Sequence, residues 1–264
     1  MNDTLHLKNS HSHYHCYNLV KKTFINGICE FKKSNYDVCV GFSKDNRHNG
    51  SYSAEQLEQE LKKRVKDRRE KITDLALNNS WEYFVTLTFD SNNLDYFPDG
   101  YSHERAIELL VKWINNQKHQ NPSMSYLLVS EFHKKGHLHF HGLFKNVPKW
   151  VLVPAINPKN GKNLFISGAQ IYNLSNYKHG FTTISFIKDN ERVSHYVSKY
   201  VTKELVSLPN KKVFWYSRDL LKPKKSFIYT DSCLKDFLST DNVNYYKKIS
   251  GKERVIEFAV TKAT

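Results

Sequence analysis

The sequence predicts an α+β protein, and two patterns together with their order along the chain indicate this class. Alternating apolar and polar residues indicate four strands, at 82–89, 126–132, 137–144 and 180–187. Apolar residues with helical spacing indicate helices at 103–118 and 189–208. The order strand, helix, hairpin, strand, helix is typical of α+β domains.

Four segments are expected along the chain. Residues 1–53 form an N-terminal extension with weak alternation that could give a small hairpin, and residues 54–79 form a basic helix with Ser53 as a candidate N-cap. Residues 80–225 are expected to be the main domain, and residues 226–264 a C-terminal extension.

The helices at 54–79 and 103–118 differ in what they indicate. The second has Ser102 as N-cap and an apolar stripe that would be buried, formed by Ala106, Leu109, Leu110, Trp113 and Ile114. The first has a basic face that could lie along DNA, but a solvated helix face is an equally good interpretation because acidic residues are mixed in. DNA contacts are predicted for Arg68, Arg69, His137 and Arg218.

The hairpin at 126–144 predicts a metal site. A three-residue loop at 134–136, with Gly136 in a left-handed conformation, sets Glu131 opposite His139. Glu131, His139 and His141 would then share one face and could hold Mn²⁺, Mg²⁺ or Zn²⁺. A two-residue loop would turn Glu131 away, and a polar sheet face without metal is the alternative. His137 is assigned a supporting or DNA-contacting role.

The helix at 189–208 carries four residues with nucleophilic or charge-stabilising chemistry. Tyr196 and Tyr200 are four residues apart, as are Lys199 and Lys203, so each pair lies on one helix face. A phenol has a pKa near ~10, and a nearby ammonium favours its phenolate. The alternative is a half-buried amphipathic helix with packed tyrosines and solvated lysines.

Composition sets wider limits. The net charge is +14, from 40 Lys and Arg against 26 Asp and Glu, which suits a phosphate backbone as partner, although AT-rich codons would also favour lysine. Four scattered cysteines predict a reducing cytosol and no disulfide framework. Neither a membrane-spanning run nor a signal peptide is recognised, so the host cytoplasm is the expected location.

With these residues in view, the chain resembles the HUH endonucleases, whose two histidines flank a hydrophobic residue, here in His139-Phe140-His141. Within them it is similar to two-tyrosine rolling-circle replication initiators of single-stranded DNA phages and plasmids. Residues 81–90 (WEYFVTLTFD) are similar to the first motif of the family, and residues 215–223 (WYSRDLLKP) to a segment that follows in phage initiators.

The resemblance implies a central antiparallel sheet with flanking helices. It further implies that Glu131, His139 and His141 bind Mg²⁺ or Mn²⁺, and that Tyr196 attacks first and Tyr200 performs the next cleavage. Lys199 and Lys203 would position phosphate or phenolate. The expected partners are a single-stranded DNA origin and host helicase and polymerase, because the chain lacks a phosphate-binding ATPase loop.

Three other functions remain open at this point. The first is the same chemistry in a transposase or plasmid relaxase, where His137 would be a third histidine ligand. The second is a non-catalytic single-stranded DNA-binding protein. The third is a metal hydrolase that uses water and forms no protein–DNA adduct.

Overall fold

The computed structural model describes residues 8–9, 15–40, 53–133, 136–207, 212–238, 243–251 and 254–262. The chain forms two compact units, one of Tyr52–Leu221 and one that joins Met1–Ser51 to Lys222–Thr264. The two terminal segments, which the sequence divides into separate extensions, therefore contribute to one unit. Pairing between segments that are far apart in sequence leaves no local signal.

The strands and helices alternate irregularly along the chain. The strands are β1 Lys8–Asn9, β2 His15–Thr23, β3 Ile28–Val40, β4 Tyr83–Phe89, β5 Ser125–Phe132, β6 Leu138–Lys145, β7 Leu152–Pro154, β8 Phe165–Ile166, β9 Ala169–Gln170, β10 Tyr172–Leu174, β11 Gly180–Phe186, β12 Phe214–Tyr216, β13 Lys224–Ile228, β14 Val243–Ser250 and β15 Val255–Lys262. The helices are α1 Ala54–Leu77, α2 His103–Gln120, α3 Asn190–Val197, α4 Lys203–Ser207 and α5 Leu234–Phe237, with a 3₁₀ helix at Ser198–Tyr200. None of the helices in the described segments has the length and apolarity needed to span a bilayer.

The terminal unit is an antiparallel sheet in the order β1-β2-β3-β15-β14, with β13 also paired to β2. Its small core includes Leu19, Phe31 and Leu234. Cys16 and Cys39 face each other across the β2–β3 pair and form a disulfide. The expectation of no disulfide is wrong here, because cysteines 23 residues apart became cross-strand partners.

The central unit is built on a seven-stranded antiparallel sheet in the order β12-β5-β6-β4-β11-β10-β7. The four predicted strands are its four central members β5, β6, β4 and β11, which confirms the α+β class. α2 packs on one face of this sheet, where Trp113 meets Phe144 edge-to-face. α1, α4 and the 3₁₀ helix contact β5, and the 3₁₀ helix lies on the other face, where Tyr200 covers His141.

Helix starts follow the predicted caps. Ser53 accepts from the N–H of Gln56, whose side chain in turn accepts from the Ser53 N–H, so α1 begins with a complete capping box. Ser102 accepts from the N–H of Arg105 at the start of α2. Both predictions of N-cap residues are confirmed.

The single helix predicted at 189–208 is wrong, because the chain breaks after Tyr200. Val201 is extended, with ψ 110°, and α4 begins anew after it. The Thr202 carbonyl accepts from the N–H of Val206, and its hydroxyl from that of Leu205. Since a threonine side chain can satisfy the first N–H groups of a helix, the second helix is capped where a continuous one was expected.

Candidate functional site

The β5–β6 hairpin places the predicted metal-binding residues on one face of the central sheet. Glu131 is the register partner of His139, and the His133 N–H donates to the His137 carbonyl. Gly136 has φ +81°, the left-handed conformation expected for it. Lys134 and Lys135 lie outside the described residues. The predicted register of the hairpin is confirmed.

His141 is held by hydrogen bonds at both ring nitrogens. Its Nε2 lies 2.7 Å from Glu131 Oε2, and its Nδ1 lies 3.0 Å from Thr86 Oγ1. Thr86 is on β4 and is the register partner of His141 across the β4–β6 pair. A hydroxyl can donate or accept, so Thr86 suits either tautomer of the imidazole.

Burial keeps this polar cluster largely uncharged on its histidines. Desolvation lowers the pKa of His141 to about 4, and desolvation together with the neighbouring histidines lowers the pKa of His139. Desolvation raises the pKa of Glu131, although His139 and His133 oppose that change. Neutral imidazoles keep a lone pair available, which a metal ligand requires.

The donor chemistry therefore fits a divalent cation, but the three side chains are not gathered around one point. Glu131 bonds directly to His141, whereas the His139 ring stacks on His133 at 4.6 Å between centroids. No group of three His, Cys, Asp or Glu side chains in the described part of the chain is arranged to hold a metal. Binding would require Glu131 to leave His141, and Nδ1 of His141 would then donate to Thr86.

Two tyrosines lie above this pair. The ring of Tyr200 is parallel to that of His141, with 3.7 Å between centroids and 5° between planes. The Tyr200 hydroxyl donates to the Tyr196 oxygen at 3.0 Å, and Tyr196 packs edge-to-face on Phe84. Burial, followed by the bond to Tyr196, raises the pKa of Tyr200 well above its ordinary value. Tyr196 remains 45% exposed and open to a polymer substrate.

The two predicted lysines differ in what can be said of them. Lys199 lies with its ammonium 5.7 Å from the centroid of the Tyr196 ring, so a cation stands beside the exposed phenol. Lys203 begins α4, but its side chain lies outside the described part of the structure.

The predicted DNA-contacting residues fall in three places. The His137 ring packs on Tyr101, 4.2 Å between centroids. Arg69 donates from Nε to the Val201 carbonyl at 3.0 Å, at the break before α4. Arg68 and Arg218 line one pocket together with residues of β12.

Sequence reasoning missed Thr86 and Phe84. Both alternate on β4 with the side chains of the same face, but no local pattern reveals that β4 pairs with β6 rather than with β5. The aromatic residues of β12 were also missed as site residues, although the WYSRDLLKP segment was singled out by resemblance.

Comparison with known families agrees with this region of the chain. Residues 82–205 match the model of a family of replication-associated proteins, described as Replication-associated protein ORF2. The match covers just under half of the chain, from β4 to α4, and supports a replication initiator of the Rep type. No curated protein and no solved structure gave a significant match.

Proposed function

We propose that this chain is a metal-dependent endonuclease and strand transferase for single-stranded DNA, which starts rolling-circle replication at an origin. The observation that carries the proposal is the placement of Tyr200 against His141 with its hydroxyl on Tyr196. Two phenol oxygens thereby lie above a carboxylate–imidazole pair. The match to replication-associated proteins over the same residues supports this function.

Tyr196 is proposed as the first nucleophile. Its oxygen attacks the scissile phosphorus, the bond from phosphorus to the 3′ oxygen breaks, and that oxygen takes up a proton to leave as a 3′ hydroxyl. The hydrogen bond that Tyr200 donates stabilises charge on the Tyr196 oxygen, and Lys199 adds a cation nearby. The 5′ phosphate remains bonded to Tyr196, and the free 3′ hydroxyl can prime synthesis by a host polymerase.

Tyr200 is proposed to act in the following cleavage. Its raised pKa makes it the poorer nucleophile while its hydroxyl donates to Tyr196. Once Tyr196 is esterified, that oxygen carries no charge to stabilise, so Tyr200 is released from this role. Its attack on the next origin frees a 3′ hydroxyl, which displaces Tyr196 from its phosphate and closes a unit-length circle. Lys203 is proposed to assist.

Glu131, His139 and His141 are proposed to hold Mg²⁺ or Mn²⁺. When bound, the ion would supply Lewis-acid polarisation of the scissile phosphate. Thr86 would fix the tautomer and orientation of His141 by accepting from its Nδ1–H.

The deciding experiment is a denaturing gel of the protein with Mn²⁺ and 3′-labelled single-stranded DNA from its own replicon. We expect label to migrate with the protein, and we expect the first adduct to be lost in Tyr196→Phe but retained in Tyr200→Phe. Tyr245→Phe, an exposed tyrosine of the terminal unit, is the matched control. Cleavage without adduct would indicate a hydrolase that uses water, and binding without cleavage a non-catalytic DNA-binding protein.

The transposase and relaxase alternative uses the same chemistry with a different metal shell. It predicts that His137→Ala abolishes cleavage while Glu131→Ala spares it. The ring of His137 packs on Tyr101 rather than on Glu131 or His141, which favours the initiator assignment. We therefore expect the opposite order of effects.

A further inference from the structure

A pocket of about 440 Å³ lies between α1 and β12, away from the tyrosine pair. Arg68 and Lys71 line it from α1. The other described residues of its wall belong to β12 or its flanks, and they are Lys212, Val213, Phe214, Tyr216 and Arg218. We call this the α1–β12 pocket. Its volume is in the range of pockets that enclose small organic ligands.

The floor of the α1–β12 pocket is aromatic. Phe214 and Tyr216 alternate along β12 and therefore point to the same face, with their rings 5.7 Å apart and 16° from parallel. The Lys71 ammonium lies 5.6 Å from the Phe214 ring and 5.4 Å from the Tyr216 ring. A flat apolar surface and a cation are thus presented together.

The charge of the wall is one-sided. Among the described residues that line the pocket, four are cationic and none is acidic. Arg218, Lys71 and Lys212 are exposed, and Arg68 is half-buried. A ligand for this wall therefore carries negative charge as well as a planar apolar group.

The pocket opens on the face of the sheet that carries the tyrosine pair. Phe214 is the register partner of Val129, which is two residues before Glu131 on β5. Two residues along a strand and one strand across place Phe214 about 8 Å from Glu131 between Cα atoms. A chain bound at the tyrosines can therefore continue into the pocket.

We propose that the α1–β12 pocket binds one unpaired nucleotide of the DNA strand that the tyrosine site cleaves, outside the scissile position. The base lies against Tyr216 and Phe214, and its phosphates contact Arg68, Lys71 and Arg218. Stacking on an aromatic ring accepts any base, whereas the cations follow the backbone. This inference rests on the proposed function and adds a second contact point for the same substrate.

The test measures binding without cleavage. Fluorescence anisotropy of a labelled 12-nucleotide oligothymidylate is followed in EDTA, for the full chain and for Tyr216→Leu, Tyr216→Phe and Lys71→Ala. We expect Tyr216→Leu and Lys71→Ala each to weaken binding at least about 5-fold, and Tyr216→Phe to bind like the wild type, because the ring is retained. Lys159→Ala, an exposed lysine of another loop, is the control for lost charge and should change affinity less than 2-fold.

A second strand tests whether the base is what Tyr216 contacts. With an oligonucleotide of the same backbone from which every base is removed, Tyr216→Leu should bind like the wild type, while Lys71→Ala should still weaken binding. Free thymidine monophosphate should compete only at far higher concentration than the oligonucleotide, since a single unit lacks the contacts at the tyrosine site. Equal competition would instead identify a site for free nucleotides and overturn the assignment to the strand.

Failure of this inference can be told from failure of the proposed function. If the oligothymidylate binds tightly and all pocket variants match the wild type, the pocket assignment is wrong and the tyrosine site is untouched. If the wild type binds no single-stranded DNA at all, both are wrong. Thermal melting of each variant shows whether a weaker affinity reflects lost folding, and a melted variant is replaced by the exposed Arg218→Ala, for which the same 5-fold loss is expected.

Discussion

Tyr200 lies flat on His141, with 3.7 Å between ring centroids and 5° between ring planes. Each ring therefore limits the orientation of the other. His141 is fixed in turn by Glu131 and Thr86, so the position of the second phenol depends on two strands as well as on the 3₁₀ helix that carries it. The predictions below test the residues that hold this arrangement.

Thr86→Val should weaken Mn²⁺ binding. The substitution keeps the shape of the side chain but removes the oxygen that orients His141, and loss of such a contact typically costs about 10- to 100-fold in metal affinity. Isothermal titration calorimetry measures the effect, and Thr86→Ser should restore most of it. Thr88→Val, on the same face of β4, is the control; an equal loss there would mean that the bond to His141 is not the cause.

Arg69→Ala should release the chain break that follows Tyr200, because Arg69 Nε donates to the Val201 carbonyl. We expect Tyr200 to lose its fixed position, so that adduct formation by Tyr196 falls about 10-fold, in line with the loss of one bond from a charged donor. The ring protons of His141 should lose the ring-current shift that Tyr200 imposes, which NMR detects directly. Arg254→Ala in the terminal unit removes the same charge and should leave both readouts unchanged.

Gly142→Ala should destabilise the central unit. A Cβ at this position would lie 2.5 Å from Leu128 Cδ2 and 3.0 Å from a ring carbon of Phe144. Leu128 and Phe144 are fully buried, so we expect a loss of about 1–3 kcal/mol in the free energy of unfolding. Denaturant unfolding measures it. Gly251→Ala, where the nearest atom is 3.5 Å away, should cost much less, and adding Leu128→Ala should relieve part of the clash rather than add a full second loss.

Glu257 should make the stability of the terminal unit depend on acid pH. Desolvation acts to raise the pKa of Glu257, but the Tyr246 hydroxyl, the Leu234 N–H and nearby lysines outweigh it, so the pKa is lowered on folding. A lowered pKa stabilises the folded state above the unfolded value, and this contribution is lost as pH falls through the folded value.

Melting temperatures measured from pH 7 down to pH 3 test this expectation. Glu257→Gln should melt lower than the wild type at pH 7, and the difference should shrink as the solution is acidified below the ordinary glutamate pKa of about 4.3. A difference that stays constant over this range would show that Glu257 contributes by packing rather than by its charge. Glu55→Gln, on the exposed first turn of α1, is the control.

The β5–β6 hairpin shows how far local sequence reaches. Its register follows from the loop length and from the single residue that tolerates φ +81° at Gly136. Because side chains alternate with a period of two, that register alone places Glu131 and His139 on one face. Nothing beyond residues 126–144 was needed for this prediction.

The segment after Asp189 shows where local sequence is insufficient. The apolar spacing of Val193, Val197, Val201 and Leu205 fits one helix, yet Val201 is extended. The competing signals are weak ones, namely the Thr202 cap and the bond from Arg69 on a helix more than 100 residues earlier. A tertiary contact of this kind selects between two local conformations that are close in free energy.

The sequence by itself determined the α+β class, the hairpin register, the helix caps and the residue types available for phosphate chemistry, because each depends on neighbours in the chain. Only the tertiary structure decided that Thr86 holds His141, that Tyr200 stacks on it, and that α1 and β12 enclose a basic aromatic pocket. These relationships join β4 to β6, the 3₁₀ helix to the sheet, and α1 to β12. Strand order and helix docking are set by burial of apolar area over the whole unit, which acts without direction and therefore leaves no periodic signal in any one segment.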